Sequence, residues 1–454
     1  MTLQQNTITP YTSNFLKNKK SFLFVILFLY TFCALVSNLN FSFTIFAYIL
    51  MLIPCIFLDT NMAISSLLYE VCFSGCFKNN GLFITASTYG LLILLIKTII
   101  PVFKTDRKKL IPLLAVFLFY ITSLICSICM SACTYFGIIR FTNLTVCLSL
   151  ATMVKKADLQ QMLKYLSCGI ILSILLSFLY YTGLSTPQPF MGENYLRFGG
   201  CFININSLGM YCSLGLACSV SLFLQKEISN RNFAFYSITF LGCGLLSFSK
   251  TFMLITLCTM CITFIYLFIK CENKRKFFIR TICCLIIVAI LLAICHNLVA
   301  NIVDRFVGDK ISIGNITTGR SEIWKEYFKT WTKNIWTILF GVGACHPYLV
   351  IDDLIRSPHN IYLGLLTQLG VVGIIALIAV IIVLFRNKQF KKSFICYLPI
   401  ISCLLNGLTE DYQNSLHTCL PILICVLFMF NTEKVATPKQ NEINSGEFTS
   451  QTNG

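Results

Sequence analysis

Charge is what this sequence has least of: Asp, Glu, Lys and Arg make up 12% of its 454 residues. A soluble chain of that length needs far more polar surface to stay in solution, so the scarcity excludes an ordinary globular enzyme. Acidic residues are the rarer sign, 18 against 35 Lys and Arg, for a formal net charge of +17. In a soluble protein that excess would point to nucleic acid. Here the basic residues sit in short loops between apolar runs, which makes them a topology signal, and no nucleic-acid partner is expected. Soluble-enzyme signatures are missing too: there is no P-loop and no HExxH. The Gly341-Val342-Gly343 triplet is only the start of a dinucleotide fingerprint and follows no predicted strand. Two CxxC spacings, at Cys126/Cys129 and Cys258/Cys261, fall inside apolar runs without a nearby His or a second pair at zinc-finger distance. Neither metal nor cofactor nor disulfide framework is therefore expected, and cysteine is read as a small apolar packing residue.

What the chain does have is hydrophobic length: 56% of it is apolar. Runs such as 277–300 and 361–385 are long enough to cross a hydrocarbon core of about 30 Å at about 1.5 Å per helical residue. The fold class expected is an all-α, polytopic membrane helix bundle of about 12–14 transmembrane helices with one large extracytoplasmic loop. Spans are placed at 21–38, 41–58, 62–77, 81–100, 111–130, 133–154, 165–182, 201–224, 233–249, 252–270, 277–300, 360–385, 394–409 and 417–430. The run at 62–77 is the weakest, being short and carrying Glu70. Retaining it puts the basic loops (Lys104 to Lys109, Lys155 and Lys156, Lys270 to Lys276, Arg386 to Lys392) on one side, as the positive-inside rule requires. Both termini then lie in the cytoplasm. Lys17, Lys19 and Lys20 precede the first run, which lacks a small-x-small cleavage site and reads as an uncleaved helix.

The opposite side holds two notable loops. One is 183–200, with Pro187, Pro189, Glu193 and Arg197; the other is about 301–359. Within the second, residues 320–336 repeat apolar side chains at helical spacing and include Trp324, Trp331 and Trp336. They read as an amphipathic helix, either along the lipid interface or capping the bundle. The tail 431–454 is polar and expected to be disordered. Four outward groups need a reason to be there: Arg197 before Phe198-Gly199-Gly200, Lys250 in the turn near 250, Arg320 in the large loop, and His359 with Asn360 at its end. Together with Asn206 in the following span, they point to a site for an anionic ligand.

Those residues also carry a resemblance. In order along the chain stand 197–209 (RFGGCFININSLG), 246–251 (LSFSKT), 319–324 (GRSEIW), 340–343 (FGVG), 359–363 (HNIYL) and 369–373 (LGVVG). This series resembles the core of the bacterial O-antigen ligase and polymerase superfamily over roughly residues 190–375. Lys250 stands where that family often has Arg, and Ile205 where it often has Pro. The resemblance implies an N-terminal transmembrane bundle (1–190), a ligase/polymerase-like core (191–375) with its loop at 301–359, C-terminal helices (376–430) and the tail. It implies a metal-independent, inverting glycosyltransferase of the cytoplasmic (inner) membrane acting in surface polysaccharide synthesis, O-antigen or capsule. The donor would be an undecaprenyl-diphosphate-linked glycan and the partners a glycan acceptor, the lipid bilayer, a flippase and a chain-length regulator. Arg197, Lys250 and Arg320 would bind the donor diphosphate, His359 with Arg320 would be catalytic, and Asn206 and Asn360 would support them.

Polymerase and ligase share the donor and differ in the acceptor, so these residues do not separate them. A flippase for lipid-linked oligosaccharide would also explain the spans and a cationic site. It predicts internal symmetry, and no clear internal repeat is visible. Two acidic pairs remain open: Asp352-Asp353 is either a solvated turn or a divalent-ion site, and Glu410-Asp411 either a helix boundary or an acceptor contact.

Overall fold

In the computed structural model of the chain, the residues described are 10–77, 80–105, 110–130, 134–154, 157–183, 190–191, 196–294, 296, 300, 320–345, 349–351, 354–386, 393–409 and 416–430. The expected tail, the bulk of the large loop up to residue 319, both acidic pairs, and Pro187, Pro189 and Glu193 lie outside them. Helices dominate. They are α1 (Pro10–Val36), α2 (Phe41–Phe57), α3 (Thr60–Glu70), α4 (Asn80–Thr105), α5 (Ile111–Cys129), α6 (Tyr135–Met153), α7 (Leu159–Ser177) and α8 (Ile205–Leu224). After them come α9 (Asn230–Leu246), α10 (Lys250–Lys270), α11 (Lys274–Ile294), α12 (Arg320–Trp331), α13 (Ile335–Phe340), α14 (Ile361–Phe385), α15 (Leu398–Asn406) and α16 (Leu416–Phe430). Two short antiparallel pairs, β1 (Phe190–Met191) with β2 (Leu196–Arg197) and β3 (Leu349–Ile351) with β4 (Leu354–Arg356), decorate one end.

The chain is thus an all-α polytopic membrane protein. Among the described residues seven helices are long and apolar enough to cross a bilayer: 18–36, 86–103, 111–129, 159–182, 205–224, 250–270 and 361–385. Four shorter apolar helices accompany them. The short run around 62–77 proves to be α3 followed by a 3-10 turn over Val71–Cys76, almost wholly buried. At 11 residues α3 rises about 16 Å and the six-residue 3-10 turn adds about 12 Å, so the run climbs about 28 Å inside the bundle with an irregular second half.

Polar residues at the helix starts fix the boundaries. Asn40, Asp59, Asp158, Asn204, Ser229, Ser249 and Asn360 each accept a hydrogen bond from a backbone N–H of the first turn. The most enclosed helix is α8, whose residues 207–222 are all buried between α9, α10 and α15. Small residues permit that enclosure. A Cβ on Gly215 would lie 2.5 Å from the Phe240 ring, and one on Gly244 would lie 2.2 Å from the Phe252 ring. Gly242, two residues before Gly244 on the same helix, faces open space instead.

One long span is broken. In α14, Gly370 adopts φ 64°, ψ −176°, interrupting the helical ladder. Backbone groups freed there are met from outside the helix: Val342 N–H donates to Thr367 O at 2.8 Å and Gly343 N–H to Gln368 O at 3.0 Å. Only glycine on both sides allows this crossing, since a Cβ on Gly341 would sit 2.3 Å from Gln368 O. The FGVG and LGVVG motifs are therefore the two halves of one backbone contact.

Candidate functional site

Each cation singled out in the sequence lies at or beside a helix N-terminus. Arg197 closes β2 and reaches two neighbours: Nε donates to Ser247 O at 2.9 Å and Nη2 to Asn206 Oδ1 at 3.2 Å. Asn206 belongs to the first turn of α8, and Ser247 to the turn leading into α10. Phe198 N–H also donates to Leu246 O at 3.0 Å, so the strand is anchored along the end of α9. Lys250 is the first residue of α10, behind the capping hydroxyl of Ser249, and not an isolated turn residue. A Cβ on Gly209 would come within 2.8 Å of Ser249 Cβ, which places the α8 start directly against the α10 start.

Arg320 begins α12, and its Nη1 donates to Thr409 O at 2.6 Å. Thr409 in turn accepts at Oγ1 from Thr251 Oγ1 at 2.9 Å. The turn at 404–409 is thereby a hub. Ile361 N–H at the start of α14 donates to Gly407 O at 2.8 Å, and Tyr362 OH donates to Leu404 O at 2.8 Å. Asn406, fully buried, donates from Nδ2 to Ser213 Oγ of α8 at 3.0 Å. Through these bonds the N-terminal ends of α10, α12 and α14 and the middle of α8 are tied to one region.

His359 has φ +46°, a left-handed conformation uncommon for a side-chain-bearing residue. Its backbone is held in that state by its neighbours. Trp324 Nε1 donates to Pro358 O at 2.7 Å, Tyr327 OH to Arg356 O at 2.9 Å, and Asn360 Oδ1 caps α14 by accepting from Tyr362 N and Leu363 N at 3.0 Å each. Helix α12 thus pins the segment that presents His359. The amphipathic stretch expected over 320–336 is two helices, broken at 332–334, where Asn334 and Thr337 form a capping box for α13. Tyr327 is buried at 2% exposure while Trp336 stays 63% exposed, so the first helix serves as a cap and the second turns apolar surface outward.

Arg197, Asn206, Lys250, Arg320, His359 and Asn360 are each partly buried: accessible, yet held by surrounding structure. Beside them an open groove of about 530 Å³ runs along α12, edged by Trp324, Lys325, Phe328, Lys329 and Asn360. Chemically, two cationic groups at helix N-termini, Lys250 and Arg320, with Arg197 bonded beside a third, suit a phosphate or diphosphate, because the helix dipoles add to the fixed charges. His359 adds an imidazole, a side chain able to act as a general base. Among the described residues no three His, Cys, Asp or Glu side chains cluster as metal ligands. Sequence reasoning missed Asn406, Gly407 and Thr409. The only signal for them was a polar Asn-Gly-Leu-Thr stretch closing an apolar run, which reads as an ordinary boundary.

Residues 235–378 match the family model described as O-antigen ligase. Over that stretch the chain is similar to the O-antigen ligase/polymerase superfamily, and the match supports that resemblance. It takes in Lys250, Arg320, His359 and Asn360, and leaves outside it Arg197, Asn206 and the 404–409 hub. No curated protein and no solved structure matches the chain.

Proposed function

We propose that this chain is a membrane glycosyltransferase that polymerises undecaprenyl-diphosphate-linked oligosaccharide units of a surface polysaccharide at the outer face of the bacterial cytoplasmic membrane. The coarser part of this reading, membrane glycan processing of the O-antigen ligase/polymerase type, follows from the family match. The observation that carries the rest is a chain of bonds: Arg197 joins the α8 start to the turn before Lys250, and the starts of α10, α12 and α14, which carry Lys250, Arg320 and the segment after His359, are tied to the 404–409 turn.

In the proposed reaction the bond between the anomeric carbon and the lipid diphosphate breaks, and negative charge grows on the departing phosphate oxygen. Arg197 and Arg320 hold that charge with forked donors, and Lys250 adds a point charge at the α10 start. His359 accepts the proton of the attacking sugar hydroxyl, which approaches opposite the leaving group and inverts the anomeric centre. Asn206 orients the Arg197 guanidinium. Asn360 holds the α14 start, which fixes where the imidazole is presented. The groove along α12 is the proposed approach for the acceptor glycan, with Trp324 and Phe328 as apolar surface for sugar rings.

The description of the matched family favours a second reading, transfer of the glycan to an acceptor of a different kind. Both readings are tested by reconstituting the purified protein in vesicles containing only the lipid-linked repeat unit. Formation of lipid-linked dimers and longer chains supports polymerase. No product until a second carrier glycolipid is added supports ligase, and movement of the donor between leaflets without any new glycosidic bond would sink both.

A further inference from the structure

An apolar groove of about 760 Å³ lies between α1, α3 and α7. Its walls are Phe24, Phe28 and Phe32 of α1, one turn apart, and Leu172 and Leu176 of α7. The three phenylalanines are 70%, 65% and 53% exposed. Thr31 and Tyr69 form the floor, their hydroxyls bonded to each other at 2.8 Å, so no polar demand is left open there.

The three helices run parallel, which gives the groove a direction. Tyr30 bonds to Glu70 O and Ser37 to Cys76 O, so α1 ascends with α3. Asp158 N–H bonds to Asn61 and Gln161 to Ser65, while Gly169 lies against Tyr69, so α7 ascends with α3 as well. The groove therefore runs from Phe24 up to Leu35, about 16 Å at 1.5 Å per residue. That is close to half of a hydrocarbon core of about 30 Å, the depth of one leaflet.

Among the described residues only one end is basic. Lys164 lines it, and Lys20, one turn before Phe24, falls on the same face of α1; both are exposed. The other end leads toward the candidate site, since Phe178 after α7 packs its ring on Phe198, next to Arg197, at 5.5 Å. From Lys164 to Phe178 the helix rises about 21 Å. The lysines thus lie toward the side of the bilayer opposite the candidate site, too far from it for the same diphosphate to be shared.

We propose that this groove binds one anionic phospholipid of the leaflet on that side, with an acyl chain along Phe24, Phe28 and Phe32 and the phosphate between Lys164 and Lys20. A groove one leaflet deep matches an acyl chain, and paired lysines at its mouth match a phosphate. A helix of a second copy would bury the aromatic wall but leave the two lysines without a counter-charge.

The test uses intact protein in a neutral detergent, offered phosphatidylglycerol or phosphatidylcholine of identical chains, with bound lipid read by native mass spectrometry. Wild type is expected to retain phosphatidylglycerol preferentially. Lys20→Gln with Lys164→Gln should cut that retention by about fivefold per lysine and leave phosphatidylcholine unchanged. Leu172→Trp, which fills the groove, should lower both. Equal retention of the two lipids, or phosphatidylglycerol binding that ignores the lysine changes, would overturn the proposal. So would a photo-cross-linker at Phe28 that captures a second copy of the chain instead of lipid. None of these readouts depends on glycan transfer, so the lipid site and the catalytic reading fail independently.

Discussion

His359 combines an unusual backbone with a reactive side chain, and the two can be separated. A left-handed φ on a residue with a Cβ costs on the order of 1 kcal/mol, a cost that glycine avoids. His359→Gly should therefore fold at least as stably as wild type, with a melting temperature unchanged or slightly raised, while glycan transfer falls by at least about a hundredfold. Loss of transfer together with loss of folding would assign His359 a structural role instead. At this scale the sequence singles out residues where it breaks its own charge rule. Arg197, Lys250, Arg320 and His359 stood out because cations on the outward side need a reason. Thr409 and Asn406 did not stand out. Their roles arise from contacts across 158 and 193 positions of chain, with Thr251 and Ser213, and no local pattern encodes such distances.

Helices were legible from their apolar runs, and their interruptions were not. The span expected at 360–385 is broken at Gly370 because the 341–343 segment supplies N–H donors to its carbonyls. A glycine inside a transmembrane run is equally compatible with simple close packing, so the break could not be read from that run alone. Gly370→Ala would place a Cβ 2.4 Å from Gly341 N and Leu339 O and also force alanine to a φ of 64°. The cost should exceed about 3 kcal/mol, and the variant should fail to accumulate in membranes. Gly242→Ala is the matched control: its Cβ meets nothing within 4 Å, and alanine is the better helix former by about 1 kcal/mol. It should accumulate normally, as measured by immunoblot of the membrane fraction. The stretch 320–336 shows the same kind of limit. Its helical spacing was correct, but the Asn334 cap that divides it was hidden within the pattern.

At the scale of the whole molecule, segments far apart in sequence converge on one end of the bundle. The family match covers 235–378, yet the site draws Arg197 and Asn206 from before it and the 404–409 turn from beyond it. The order of motifs was visible in one dimension, whereas their convergence depends on α8 being enclosed between α9, α10 and α15. If that convergence is a catalytic site for lipid-linked glycan, the most direct measurement is made in cells lacking the gene. They are complemented with wild type or with His359→Gly, at equal membrane levels, and the glycan on the lipid carrier is sized. Wild type should restore long chains, while His359→Gly should leave single repeat units exposed on the outer leaflet. Full-length polymer from the variant, or units held on the cytoplasmic leaflet in the null, would contradict a glycosyltransferase centred on His359.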